Sequence, residues 1–227
     1  MAISRRTFLQ SLAGFYALPF AFSWAGKLEQ PLSASGLNIA FAIMLGDDKV
    51  GTHSISIHKN GSDTEIKHAI DITVTIAFVN VYSLKHRSTE MWRGADSHSV
   101  RLLSLESDTM EDGKHKQVKG QATADTFVVK TATGQVSLPL DIATTNSFWV
   151  DVTTLRPHLI DSTDGTLIAS HVETLPDDTI DGKAAEHVRL QAGKQSAEAW
   201  FIDEIMVRGQ TVRKDHVVTL LPLRESK

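Results

Sequence analysis

The stretch TEIKHAIDITVTIAF, from Thr64 to Phe78, decides the fold class of this chain. Isoleucine, valine or phenylalanine occupies six of its even-numbered positions from Ile66 onward, and mostly polar residues occupy the odd-numbered ones. A period of two is the spacing of a β-strand with one buried face. We therefore expect one long strand whose even-numbered side chains point into a core.

Shorter segments with the same alternation lie on both sides of this stretch, among them 49–58 and 210–220. Turn signals such as Asn60-Gly61 and Asp164-Gly165 separate them, and 144–157 breaks the alternation like a loop or short helix. Roughly ten strands with short connections must close or curl, because long exposed edges invite aggregation. The prediction is a single all-β, mainly antiparallel domain over 38–227. Its one curled sheet forms a barrel or half-barrel, with at most short helices.

Composition excludes several classes of function. The chain has 23 Lys+Arg against 27 Asp+Glu, a net charge of −4, which argues against a nucleic acid partner. It has no cysteine, which excludes disulfides, thiolate zinc sites, a cysteine nucleophile and a lipidated cysteine anchor. Any metal would have to be held by histidine and carboxylate, and the sequence identifies no cofactor.

The first 25 residues have the pattern of an export signal. Ser4 precedes two adjacent arginines and then a Phe-Leu pair, the twin-arginine motif; its residues are Arg5, Arg6, Phe8 and Leu9. An apolar stretch follows over 11–25 and ends on small residues suited to cleavage. We therefore predict a signal peptide over 1–25, a linker over 26–37, and the twin-arginine export machinery as a partner. The expected location is periplasmic or secreted, with no stable membrane span after processing.

One hairpin brings two histidines together in the prediction. If Asn60-Gly61 is a two-residue turn, His53 lies directly opposite His68, on the isoleucine-rich face. Opposed Cβ atoms are ~4.5–5.5 Å apart, close enough to share a metal, a proton or a polar ligand group. Metal binding needs at least a third ligand, which the sequence does not identify. Two core histidines satisfied by hydrogen bonds are the simpler alternative.

A second group lies on one predicted strand. On an unbroken strand His86, Glu90 and Trp92 project to the same side, because their spacing is even. A histidine and a carboxylate beside an indole could form an acid–base pair, part of a metal site, or a buried polar tie within the sheet. The polar tie is the favoured interpretation, and we assign no catalytic residue.

Several short motifs resemble an uncharacterised family of exported bacterial β-proteins. They are Val50-Gly51-Thr52-His53, His86-x-x-x-Glu90-x-Trp92-x-x-Gly94, Ser107-x-Thr109-x-x-x-Gly113, Ser147-Phe148-Trp149 and Asp164-Gly165, all within 38–170. More distantly, the chain is similar to LolA/LolB-type periplasmic carriers, whose concave sheet holds acyl chains. Neither resemblance supplies an activity, since the family is uncharacterised and architecture alone does not establish function.

Three functions fit these observations. The favoured one is a binding module for a lipid or other lipophilic small molecule in the concavity of the curled sheet. Its predicted wall or rim residues are Phe41, Phe78, Tyr82, Trp92, Phe148 and Trp149, with His53, His68, His86 and Glu90 orienting a polar head group. The alternatives are an enzyme, a hydrolase or isomerase using His86 and Glu90 or a metal on His53 and His68, and a structural or partner-binding β-protein. The sequence favours a protein that is not an enzyme.

Overall fold

The computed structural model describes residues 36–94, 100–147, 156–203, 205–213 and 216–223. Over these ranges the chain forms fifteen strands and no α-helix, which confirms the predicted all-β class. The strands are β1 (Leu37–Leu45), β2 (Asp48–Asn60), β3 (Asp63–Ile76), β4 (Val79–Arg93), β5 (Arg101–Glu111), β6 (Lys114–Ala122), β7 (Phe127–Thr131), β8 (Gly134–Leu138), β9 (Ala143–Thr144), β10 (His158–Ile160), β11 (Leu167–Ile180), β12 (Lys183–Ala192), β13 (Gln195–Ile202), β14 (Ile205–Arg213) and β15 (His216–Pro222). None of these residues belongs to a helix with the length and apolar character needed to cross a bilayer.

All fifteen strands form one sheet, built from two meanders. Strands β1 to β8 follow one another across one half, and β9 to β15 follow one another across the other. The first and last strands join the halves antiparallel, with Ile43 opposite Leu220, and only the short β9–β10 pair is parallel. Strands β8 and β9 lie at the two ends of the strand order, so the sheet is an open half-barrel and not a closed barrel.

The β9 end of the sheet folds over the inner face of the first meander and fills the concavity. Ile142, Leu159 and their neighbours are fully buried in the same apolar cluster as Trp92 on β4 and Phe127 on β7. The turn after β10 packs on β7 so closely that a Cβ at Gly165 would lie 2.8 Å from Thr131 Cγ2. The interior is therefore a packed core between these elements.

The β2–β3 register differs from the predicted one. Asn60 lies opposite Asp63, so the two turn residues are Gly61 and Ser62. Only Gly61 of these two has a positive φ, 64°, which fits a Gly-Ser turn of type II′; the expected Asn-Gly turn of type I′ requires positive φ at both central positions. As a result His53 lies opposite Ile70, and the prediction that it directly faces His68 is wrong.

Two further expectations are corrected at the ends of strands. The predicted strand over 210–220 is two strands, β14 and β15, which pair antiparallel with Arg213 opposite His216. The outer end of the long strand β3 is not buried: Phe78 occupies the β3–β4 turn and is fully exposed, so it is not a wall residue. Trp149 and Phe148, also predicted as wall or rim residues, lie outside the described residues, as do the predicted signal peptide and most of the linker.

Gly51 on β2 permits a close approach of β3. A Cβ at this position would lie 2.2 Å from the backbone oxygen of Asp71 and 3.0 Å from Ile72 Cα, and backbone cannot move aside as a flexible side chain can. Gly51→Ala is therefore expected to lower the free energy of unfolding by about 3 kcal/mol, at the upper end of overpacking costs. Urea unfolding followed by tryptophan fluorescence measures this. The exposed Ser54→Ala on the same strand should change stability by less than about 0.5 kcal/mol, and equal stabilities of the two variants would contradict the interpretation.

Candidate functional site

The two predicted histidines meet on the inner face even though they are not directly opposite. His53 on β2 and His68 on β3 are diagonal neighbours, with His53 Nε2 3.2 Å from His68 Nδ1. Their ring centroids are 5.4 Å apart, and the Phe41 ring lies 6.3 Å from that of His53. The predicted proximity is therefore correct, although the register that predicted it is wrong.

Glu90 on β4 is a fully buried carboxyl group that accepts three hydrogen bonds. Trp92 Nε1 donates to one oxygen at 2.8 Å, Ser147 Oγ donates to the same oxygen at 3.1 Å, and Thr144 Oγ1 donates to the other at 2.5 Å. His68 Nε2 lies 3.7 Å from the Thr144-bonded oxygen and has no hydrogen-bond partner among the residues that the structure describes. The carboxyl group thus joins β4 to the segment that folds into the interior.

His86 lies four residues before Glu90 on the same face of β4 and makes a second connection to that segment. Its Nδ1 lies 2.7 Å from Thr109 Oγ1, and its Nε2 lies 2.9 Å from Asn146 Nδ2, which also donates to Ser88 Oγ at 3.0 Å. An amide nitrogen only donates, so His86 Nε2 must accept, and the ring proton must sit on Nδ1. Asn146 therefore holds His86 in one neutral tautomer.

Burial controls the protonation of these groups. Burial lowers the pKa of His53 and of His86 to about 4 each, and it lowers the pKa of His68 well below its usual range. Burial raises the pKa of Glu90, against the opposing effect of its three hydrogen-bond donors. The three histidines are accordingly neutral at pH 7, as the tautomer of His86 also requires.

These side chains, with Trp92, Thr109, Thr144, Asn146 and Ser147, form what we call the buried polar cluster. Its histidines and its carboxyl group are at most 9% exposed, so the described residues shield them from solvent. No three histidine or carboxylate groups among the described residues are arranged to hold a metal ion. Ser107 Oγ adds a further link, donating to Ser162 O at 2.5 Å on the far side of the same segment. We call the interior residues 142–147 and 158–162 the inner segment. The geometry fits the predicted polar tie, which fastens the inner segment to β4 and β5.

A cavity of about 680 Å3 lies on the opposite face of the sheet, across β1 to β6. Its surface includes two rows of residues paired across the strands, Asn38-Ser56-Lys67-Thr89-Glu106-Lys119 and Ala40-Ser54-Ala69-Arg87-Asp108-Gln117. Among the described residues, His68 is the one predicted site residue that borders it, although its side chain is fully buried. We call this cavity the outer groove.

The family described as Domain of unknown function (DUF6134) matches residues 41–220, most of the chain. The chain belongs to this family. The predicted membership of an uncharacterised family is therefore confirmed. Comparison with curated proteins and with solved structures finds no match, so the likeness to LolA/LolB-type carriers stays a prediction. The matched range of the DUF6134 domain holds the whole buried polar cluster and most of the outer groove.

Of the two remaining predicted site residues of the DUF6134 domain, only Tyr82 is described, and it lies apart from the cluster. Tyr82 is at the base of the β3–β4 hairpin, where its hydroxyl donates to Glu111 at 3.2 Å, and Trp149 is outside the described residues. Sequence reasoning missed Thr144, Asn146 and the role of Ser147. The available signal was the run Thr-Thr-Asn-Ser at 144–147, four hydrogen-bonding side chains directly after the apolar Ile142-Ala143.

Proposed function

We propose that this protein is an exported binding module that holds an amphipathic small molecule in the outer groove. The groove's volume of about 680 Å3 is the observation that carries the proposal. Small-molecule sites commonly have ~300–1,000 Å3. The sequence favoured a lipophilic ligand in the concavity of the curled sheet. Packed side chains fill that concavity, so we propose the ligand site on the opposite face of the sheet.

The centre of the groove suits an apolar body. Ala40, Ser54 and Ala69 lie side by side on β1, β2 and β3, and their small side chains leave the floor open. Leu223 borders this row at the β1 edge, where its backbone N–H donates to Ala40 O at 2.7 Å. A hydrocarbon or ring system could lie along this row against alanine methyl groups.

The other side of the groove suits an anionic head group. Lys67, Arg87 and Lys119 border it, against two carboxylates in the lining, Glu106 and Asp108. The cations have carboxylate partners, such as the bidentate Arg87–Asp71 pair, but these pairs are exposed and weak. An incoming carboxylate, sulfonate or phosphate can therefore compete for the same donors.

Export completes the proposal. The Ser-Arg-Arg-x-Phe-Leu start supports delivery by the twin-arginine machinery, as a folded protein, to the periplasm or the exterior. An enzyme using His86 and Glu90 is not proposed, because both side chains are fully buried and neither borders the groove.

Native mass spectrometry of the protein purified from its own periplasm tests the binding function, with metal analysis of the same sample. We expect a co-purified amphiphile as a mass adduct and displacement of that adduct by the anionic amphiphile 1-anilinonaphthalene-8-sulfonate. Ser54→Phe fills the groove floor and should abolish both the adduct and the probe's fluorescence increase.

Ser137→Phe is the matched control, since Ser137 is an exposed strand residue on β8, outside the groove. This variant should bind as the unaltered protein does. Absence of any adduct together with absence of probe binding would refute the proposed function, as would equal binding by the two phenylalanine variants.

A further inference from the structure

The β3–β4 hairpin ends in an apolar finger that projects from the sheet. Pairing with β2 ends at Ile72 and pairing with β5 begins at Leu84, so strand residues within 73–83 pair only with each other. The thirteen residues 72–84, ITVTIAFVNVYSL, contain no charged side chain. Four large apolar side chains at the tip are strongly exposed: Ile76 by 63%, Phe78 by 102%, Val79 by 62% and Val81 by 50%.

The backbone of the tip is also unusual. Ala77 and Phe78 occupy the two turn positions with φ of 48° and 68°, a conformation that hairpins normally assign to Asn-Gly. Residues with a Cβ are strained there. The chain therefore places a fully exposed aromatic ring at a turn position that glycine would occupy more easily.

We propose that this finger inserts its tip into the surface of a phospholipid bilayer. Ile76 and Val79 lie directly opposite each other on the last strand pair, and Phe78 lies beyond them in the turn, so the apolar surface is concentrated at the end of the finger, where a shallow insertion would bury it. A stable protein interface takes ~800 Å2 and about 20–30 residues on each side, whereas the finger is two strands wide and offers four large apolar side chains. A second copy of this chain, or another protein, would need far more surface than the tip supplies.

The charges at the base of the finger agree with a bilayer carrying anionic lipids. Lys85 and Lys114 are exposed there and form no ion pair with any residue the structure describes, while the nearby carboxylates of Glu111 and Asp112 already accept hydrogen bonds. When the tip is inserted, lysines at the base of the finger lie near the lipid phosphates, and each lysine near an anionic surface strengthens binding. Tyr82 lies at the base of the finger, where its aromatic ring and polar hydroxyl would meet the headgroup region of the bilayer.

Flotation with vesicles of phosphatidylethanolamine and phosphatidylglycerol tests the inference on the full-length protein and on its Phe78→Gly variant. Glycine suits a φ of 68°, so this change removes the exposed ring without straining the turn. We expect the unaltered protein to float with the vesicles. Phe78→Gly should lower the partition coefficient by about tenfold or more with an equal or higher melting temperature, since Phe78 supplies the largest apolar surface of the tip.

Val136→Gly is the matched control, because Val136 is an exposed strand residue on β8, far from the finger along the sheet. It should float as well as the unaltered protein. Failure of the unaltered protein to float would overturn the inference, and so would equal flotation of the Phe78→Gly variant. Ser54→Phe should still float, so a failure of the finger and a failure of the outer groove are separate results.

Discussion

Replacing Glu90 by leucine is expected to lower the free energy of unfolding at pH 7 by about 4 kcal/mol. The change leaves the Trp92 indole N–H without an acceptor in the packed interior. It also removes the acceptor on β4 to which the hydroxyls of Thr144 and Ser147 donate. Each unsatisfied buried donor costs about 1–3 kcal/mol. For a domain of this size the melting temperature should fall by roughly 10 °C. Urea and thermal unfolding, followed by circular dichroism, measure both quantities.

Two variants show whether the buried acceptor is the cause. Glu90→Gln keeps the shape and one acceptor oxygen, so its cost should be roughly half that of leucine. Glu106→Leu makes the same change at an exposed carboxylate and should shift stability by less than about 0.5 kcal/mol. A leucine variant at position 90 as stable as the unaltered protein would show that the cluster does not fasten the inner segment.

Acidification from pH 7 to pH 4 is expected to cost about 6 kcal/mol of folding stability. In the unfolded chain His53 and His86 take up protons near pH 6.5, whereas in the folded protein their pKa is about 4. Between these values the unfolded state binds more protons, so stability is complete above pH 6.5 and is lost as the pH falls. A shift of this size corresponds to about 3 kcal/mol for each histidine, and His68, whose pKa is also lowered, adds in the same direction.

Glu90 opposes part of this loss. Its folded pKa is raised, so the folded state takes up that proton more readily than the unfolded one, and stability from this group grows as the pH falls through the folded pKa. Protonated His86 could no longer accept from Asn146, so acid should first release the inner segment from β4.

Urea unfolding at a series of pH values between 7 and 4 measures the effect. His53→Gln should remove about 3 kcal/mol of the pH dependence, whereas His58→Gln, at an exposed position on the same strand, should leave the profile unchanged. A stability that stays flat from pH 6.5 to 4 would contradict the assigned protonation states.

The all-β class and much of the strand pattern could be predicted because they depend on local alternation. Ile66 and Ile70 on β3 show it, as do the turn signals beside them. The register of β2 on β3 could not be predicted, because Asn60-Gly61 and Gly61-Ser62 are both good turns, and the choice between them moves the partner of each β2 residue by two positions along β3. The exposure of Ile76 and Phe78 could not be predicted from the sequence, for a different reason. Alternation marks which face a residue occupies, but not whether a neighbouring strand covers that face.

The candidate site was predictable in part. Even spacing placed His86, Glu90 and Trp92 on one side of one strand, and this is confirmed. Their partners Thr144 and Asn146 are more than fifty residues away along the chain, on a segment without periodicity. Contacts of that kind depend on how the β9 end of the sheet folds inward, which no local pattern encodes. The outer groove likewise arises from the small side chains of three separate strands lying in register.

The pairing of β1 with β15 sets the order in which this protein can be completed. Each meander can form from neighbouring strands while the chain is still being synthesised, but among the described strands hydrogen-bonded pairing between the two halves runs only through the first and last strands. A nascent chain therefore holds a finished first meander with an open edge on β1 until the ribosome has released β15. A protease that removed the last strand would break this seam and the β14–β15 pair, and would leave the shared apolar core and the buried polar cluster as the links between the two meanders.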